Sequence, residues 1–335
     1  MHCVIEQKAV MSLLPPLDPK AALPWEAGLR VEPADATLPG LSVVVPIYNA
    51  GRFLERTLRS LLCNDLSGVE IIVMDGGSTD DTARILKHYA AMFAVVRSER
   101  DKGQSDAINR GMAMARQPLL CWLNGDDLLM PNVLNTVRAA FRDRSDCNVL
   151  VGNAWMSELN LTPIRRFVYS PETLRLDHLL DYARNHLVQP SVFFTRHAWT
   201  SAGPVAVEMH YAMDADLFLR MASMFEFQHL DVDLAHSVYH EDCKTRSARA
   251  ESIAELALVQ ARHGGMVQAA ATLKLLVDLY YDIQKGIDAT QPGPANGGLI
   301  LSLREQALQA RVAELERRLL MLAEGFLELD MLETA

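Results

Sequence analysis

Two adjacent carboxylates, Asp126 and Asp127, follow Asn124-Gly125 where a short apolar run, Leu119 to Leu123, ends. On an extended backbone neighbouring side chains point to opposite sides, so the pair cannot grip one ion symmetrically. One carboxylate can bind a divalent cation while the other holds one of its waters or a substrate hydroxyl, which suits Mg2+ or Mn2+ carrying phosphate. By itself Asn-Gly-Asp-Asp is also an ordinary turn, since all four residues favour turns. A second acidic pair, Asp214 and Asp216, opens a helical pattern continued by Leu217, Met221 and Met224. The bland role for such acids is to offset the helix dipole, worth about 0.3–1 kcal/mol each. His236 and His240 stand four apart, a zinc-like spacing. Val238 and Tyr239 favour a strand there and no third ligand has metal-site spacing, so His236 reads as a hydrogen-bonded strand histidine.

These groups need a rigid edge to hold them. Leu119–Leu123 has the length of a strand buried on both faces. Upstream, Leu41–Pro46 is a β-branched run, followed by a helix over Gly51–Cys63 with Phe53, Leu54, Thr57, Leu58, Leu61 and Leu62 on one stripe. Val69–Met74 is the second strand, Asp75–Asp81 its loop, and a helix follows from about Thr79 to Met92, capped by Ser78 or Thr79. Ala94–Ser98 and a helix over Ser105–Arg116 form the third unit, and the run ending at Asp126 is the fourth strand. Repeated strand–helix order predicts an α/β fold with a mostly parallel, Rossmann-like sheet, helices on both faces, and ligands beyond the carboxyl ends of the strands. Neither G-x-G-x-x-G nor a P-loop occurs, which excludes those phosphate fingerprints, yet Asp75 ends the second strand where a ribose-binding acid would sit. A helix from Pro131 to Phe141 and strands over Asn148–Trp155 and Val188–Phe194 complete the pattern.

The chain has 335 residues, 50% hydrophobic and 22% charged, which places it among globular proteins. A formal charge of −10 provides no basic footprint for nucleic acid. Cys3, Cys63, Cys121, Cys147 and Cys243 are odd in number and lack a C-x-x-C pair, arguing against a disulfide framework or a zinc–thiolate site. No apolar run reaches about 18 residues, and Glu6 and Lys8 interrupt any leader, so the reading is cytoplasmic, with any membrane contact peripheral. The expected organisation is an irregular arm at 1–40, a catalytic domain at 41–246, a helical extension at 247–285, a Gly/Pro-rich linker at 286–299 and a helix at 300–335. In the last, Leu301, Leu308, Val312, Leu315, Leu319, Leu322, Phe326 and Leu329 keep a heptad seam. It serves either a homo-oligomer paired through 301–329 or an amphipathic helix packed on its own domain.

Seven motifs in order give these features a common meaning. They are Val45-Pro46-Ile47-Tyr48-Asn49, Val73-Met74-Asp75-Gly-Gly-Ser-Thr-Asp80, Glu99 to Gly111, Trp122 to Asp127, Gln189-Pro190-Ser191, Met213-Asp214-Ala-Asp216-Leu217, and Tyr239-His240 followed by Lys244-Thr245. From Leu41 to Ser247 the chain resembles the family-2 glycosyltransferases, the inverting GT-A group that uses nucleotide-diphosphate sugars. The resemblance implies that Pro46, Tyr48, Asn49 and Asp75 hold the base and ribose, and that Asp101, Gln104, Ala107 and Asn109 close that pocket. It makes Asp126 a ribose and metal contact, Asp127 the main ligand of Mn2+ or Mg2+, His240 a further metal or diphosphate contact, and Lys244 a phosphate contact. Asp214 becomes the general base, with Met213 where the family commonly has glutamate. The implied partners are a nucleotide-diphosphate-sugar donor, by default a UDP-sugar, and a saccharide or lipid-linked acceptor faced by residues 156–210, in surface polysaccharide synthesis. Two rivals stand beside this reading. A nucleotidyltransferase would need a basic, glycine-rich phosphate loop that Pro46–Gly51 does not supply, and a nucleotide-sugar-binding scaffold assembled through the heptads would not need Asp126, Asp127 and Asp214 intact.

Overall fold

Each early apolar run forms a strand, and their order sets one edge of the molecule. The computed structural model describes residues 15–244 and 248–276. The start of the arm with Cys3, Thr245, the 286–299 linker and the 300–335 heptad helix lie outside the described residues. Strands β1 (Leu41–Ile47), β2 (Val69–Asp75), β3 (Val95–Ser98) and β4 (Leu119–Trp122) pair in parallel in the order β3-β2-β1-β4. Helices α1 (Leu54–Leu62), α2 (Thr82–His88) and α3 (Gln104–Met114) connect them. Successive residues of β1 face opposite sides, so Val44 joins a core with Ile72, Trp122 and Phe218, while Val43 and Val45 join one with Leu58, Ile71 and Val73.

The sheet is mixed beyond β4. After the two-residue strand β5 (Leu128–Leu129) and helix α4 (Val133–Asp143) come β6 (Val149–Glu158), β7 (Pro163–Phe167), the short helices α5 (Leu176–Leu179) and α6 (Tyr182–Asn185), and β8 (Val192–Thr195). Helices α7 (Arg196–Ala202) and α8 (Met213–Ala222), strand β9 (Phe227–Tyr239) and helix α9 (Arg249–Arg262) follow. The order continues β4-β8-β6-β9-β5, with β7 on β6; β8 runs antiparallel to both β4 and β6, whereas β6 and β9 are parallel. The expected parallel pairing is thus continuous only over β3-β2-β1-β4, and beyond it returns between β6 and β9. At the reversal the Gln189 side chain donates to the Trp122 carbonyl at 2.8 Å, and from there the chain enters β8 beside the carboxyl end of β4 and runs back along it.

Two other boundaries differ from expectation. The second helix starts at Thr82, not near Thr79, because the Ser78 hydroxyl and amide both donate to Asp75 and Asp80 organises the turn by accepting from the Thr82 amide. Residues 189–191 form a 3₁₀ turn before β8. The described part of the arm is tied down from Leu17, whose amide donates to Glu55, and again where Glu26 pairs with Arg59. No helix among the described residues is long and apolar enough to cross a membrane.

The reversal after β4 depends on close approach. A Cβ added at Gly125 would lie 2.7 Å from Ile47 Cγ2 and 3.3 Å from Ala50 Cβ. Gly125→Ala should therefore destabilise the protein by about 1–3 kcal/mol through overpacking, read as a lower urea midpoint with an unchanged slope; an unaltered midpoint would show that the first loop yields freely.

Candidate active site

The end of β4 is closed by a small polar network. Asn124 accepts from the Gln104 amide at 2.8 Å and donates to Asp127 at 3.0 Å and to Gln189 at 3.2 Å. Strand β5 sets Leu128 opposite His236 on β9, so the residues just before β5 face the end of β9. There the buried Asp127 accepts from the Val238 amide at 3.1 Å. Burial, then the neighbouring Asp126 charge, pushes the Asp127 carboxyl well above its usual range.

Asp126 takes the other direction. Its Oδ2 lies 3.0 Å from His240 Nε2, and the His240 ring stacks on Phe53 with centroids 4.1 Å apart. His240 Nδ1 is buried without a hydrogen-bond partner. Ligand atoms of Asp126, His240 and Cys243 lie within 4.8 Å of one another. Cys243 is engaged locally, accepting from the His240 amide at 3.3 Å and donating to the Val238 carbonyl at 3.4 Å. A carboxylate and an imidazole fit a cation such as Mn2+ that completes its shell with phosphate and water, and a soft sulfur is the poorest donor for such an ion.

Both acids open onto a cleft of about 990 Å3 at the carboxyl ends of β1 and β4. The wall includes Pro46, Tyr48, Asn49, Asp101, Gln104, Ala107, Asp214, His240 and Lys244. Tyr48 is 65% exposed, its ring free to meet a planar ligand. Asn49, at φ 48°, locks the first loop to the second, its amide donating to Ser78 at 2.8 Å and its side chain accepting from the Thr79 amide at 2.9 Å. Lys244 donates to Gln104 at 2.9 Å, and burial lowers its ammonium pKa against the opposing charges of Asp101, Asp126 and Glu255.

Two expected pocket residues are not on that wall. Asp75 is buried, one oxygen accepting from Ser78 and the other from the Ser98 hydroxyl at 2.5 Å, so its carboxylate braces the β2 loop. Asn109 donates to the Val205 carbonyl at 2.8 Å and accepts from the Val205 amide at 2.9 Å, clamping the segment before α8 to α3. A motif supplies a polar side chain, but the helix phase decides whether it meets ligand or protein.

Asp214 stands in the first turn of α8, its Oδ1 accepting from the Ala215 amide at 2.8 Å. Burial pushes its carboxyl up to about 6, and the Glu255 charge adds to the rise. Asp216 is structural, bound to Arg220 at 3.0 Å and His263 at 3.1 Å. His236 is the strand histidine expected, 2.6 Å from the Ser157 hydroxyl and stacked between Trp25 and Trp155. Asn124, Gln189 and Glu255 carry structural work at the site that their local sequence did not announce; for the first two, position inside a motif was the available signal.

Asn109→Ala should lower the unfolding free energy by about 1–3 kcal/mol, the sum of two ordinary hydrogen bonds, in urea denaturation. No loss of stability would return Asn109 to the list of ligand contacts.

The profile of Glycosyl transferase family 2 matches residues 42–199, a span that holds Asp126 and Asp127 but ends before Asp214 and His240. Chondroitin synthase of Escherichia coli is 28% identical over 209 residues, covering 61% of this chain and 29% of that protein. The chain spans 29–38% of the length of three curated relatives that it matches. Among solved structures, S. aureus TarS 1-349 in complex with UDP-GlcNAc superposes with a TM-score of 0.52 at 19% identity, covering 66% of each chain. The mannosyltransferase PcManGT from Pyrobaculum calidifontis, in complex with GDP-Man and Mn2+, gives 0.50 at 17% identity, covering 86% of this chain and 85% of that one. Residues 42–199 thus match the model of glycosyl transferase family 2, inside a fold that the chain shares with TarS and PcManGT.

Proposed function

We propose that the protein is a metal-dependent, inverting glycosyltransferase. It moves a sugar from a nucleotide-diphosphate sugar, by default a UDP-sugar, to a hydroxyl of a saccharide or lipid-linked acceptor in surface polysaccharide synthesis. The observation that carries this reading is one cleft holding both the Asp126–His240 contact and Asp214, whose carboxyl is lifted to about 6. The donor class is supported by neighbours in complex with UDP-GlcNAc and with GDP-Man and Mn2+. The polysaccharide context is supported by the relative named chondroitin synthase.

In this reading Asp126 and His240 hold the cation. The leading contact passes to Asp126 because Asp127 spends its oxygens on Asn124 and Val238. When bound, the cation neutralises charge that develops on the diphosphate as the anomeric bond breaks. Pro46, Tyr48, Asn49, Asp101 and Ala107 wall the nucleoside, and Gln104 aims Lys244 at the phosphates. Asp214 accepts the proton of the acceptor hydroxyl as that oxygen forms its bond to the anomeric carbon opposite the departing diphosphate. The proton ends on the Asp214 carboxylate, the diphosphate leaves with the bonding pair, and the configuration inverts.

Only the carboxylate form of Asp214 can accept a proton, so turnover should fall as pH drops through about 6 and level off above it. Asp214→Asn should lower hydrolysis of UDP-GlcNAc or GDP-Man by about 10²–10⁴ while calorimetric donor binding persists. Asp126→Ala should instead abolish Mn2+-dependent binding of the nucleoside diphosphate. Full turnover in the Asn variant removes Asp214 from the mechanism, and unchanged binding in the Ala variant removes Asp126 from the metal site.

A further inference from the structure

We infer that Glu255, on α9 beyond the segment matched by the family, is a positioning residue for Asp214: it fixes the backbone leading into that side chain and sets a second negative charge beside it. This rests on the proposed role of Asp214 as the base. The Glu255 carboxylate accepts from three consecutive backbone amides, His210 at 2.8 Å, Tyr211 at 2.5 Å and Ala212 at 2.6 Å. Those residues deliver the chain to α8, whose N-cap, Ala212, has no side-chain acceptor of its own. Glu255 does not replace that cap, whose oxygen would meet the amides of Asp214 or Ala215; its carboxylate binds the three amides just before α8 and so fixes the path into the helix.

The surroundings of Asp214 isolate this charge as the relevant one. Met213, its chain neighbour, is apolar and buried. On its own helix, Asp216 is matched by Arg220 and His263. From α6, the Tyr182 phenol is itself raised by burial and then by the Asp214 charge. From α9, Glu255 raises the Asp214 pKa, while Lys244 senses Glu255 together with Asp101 and Asp126. His210 and Tyr211, the residues Glu255 holds, also line the cleft. One carboxylate therefore couples the position of the base to its basicity.

The test follows hydrolysis of UDP-GlcNAc and of GDP-Man with Mn2+ across pH in wild type, Glu255→Gln, Glu255→Ala and Asp214→Asn. Glu255→Gln removes the charge and keeps one of the two acceptor oxygens, so the acid limb should move to lower pH, with a smaller loss of plateau rate than in Glu255→Ala. Glu255→Ala frees the approach to α8 and should lower kcat by about 10² with donor KM unchanged. An acid limb in Glu255→Gln that superposes on wild type overturns the electrostatic role, and a normal kcat in Glu255→Ala overturns the positional one. If wild type turns over neither donor, or if the acid limb survives in Asp214→Asn, the transferase reading with Asp214 as base fails instead. Because Glu255→Gln reads the charge through a pH profile, the inference stays open to refutation even if Glu255→Ala folds poorly.

Discussion

The site depends on one buried acid that bridges two distant parts of the sheet. Asp127 ends the β4 loop and accepts from the Val238 amide near the end of β9. A carboxylate removed from water is costly unless it is hydrogen-bonded, so the pairing is strongly constrained once the strands are in place. Through Asn124 the same carboxylate is connected to Gln104 at the start of α3 and to Gln189 before β8. Four segments far apart in sequence thus meet in one network. His240, Cys243 and Lys244 follow directly from the end of β9, so this bridge also decides where they stand.

The parallel half of the fold was legible because strands buried on both faces write continuous apolar runs, and short loops with helical stripes separate them. Strand direction beyond β4 was not, since nothing local in Val192–Thr195 says which neighbour it meets or from which end it arrives. β5 is two leucines long, too short for any periodicity, yet its pairing with β9 brings Asp127 to Val238. The acidic side chains were legible as chemistry but not as geometry. Asp126 and Asp127 are adjacent, and only the fold shows that one faces His240 while the other locks the backbone. Asn109 and Asp75 show the same limit, because a polar residue in a motif can as easily brace a loop as touch a ligand. Glu255 lies far from Asp214 in a helix with no motif, where sequence carried no signal of its role.

Charge in the cleft bears on what can bind there. Asp101, Asp126, Asp127, Asp214 and Asp242 line it against Arg100 and Lys244. Asp242 is paired with Arg52 at 3.1 Å and burial favours the neutral form of Asp127, so the acid that faces a bound diphosphate most directly is Asp126. A divalent cation at the proposed Asp126–His240 site would reverse the local sign that an anionic diphosphate meets.

Opposing influences also set the state of Asp214, the proposed base, at the start of α8. The N-terminal end of α8 and the Ala215 amide both favour ionised Asp214, and alone they would hold its carboxyl low. Burial acts in the opposite sense and is the larger effect, with Glu255 adding to it, so the balance lies near 6. At that value the group is mostly ionised at neutral pH and still more basic than an exposed aspartate, the compromise that proton abstraction from a hydroxyl rewards. Two residues further along α8 the balance differs: Asp216 is bound by Arg220 and His263, and its pKa is lowered. Two aspartates two residues apart on one helix therefore differ in kind, one raised by burial and the other held low by its hydrogen bonds and cationic partners.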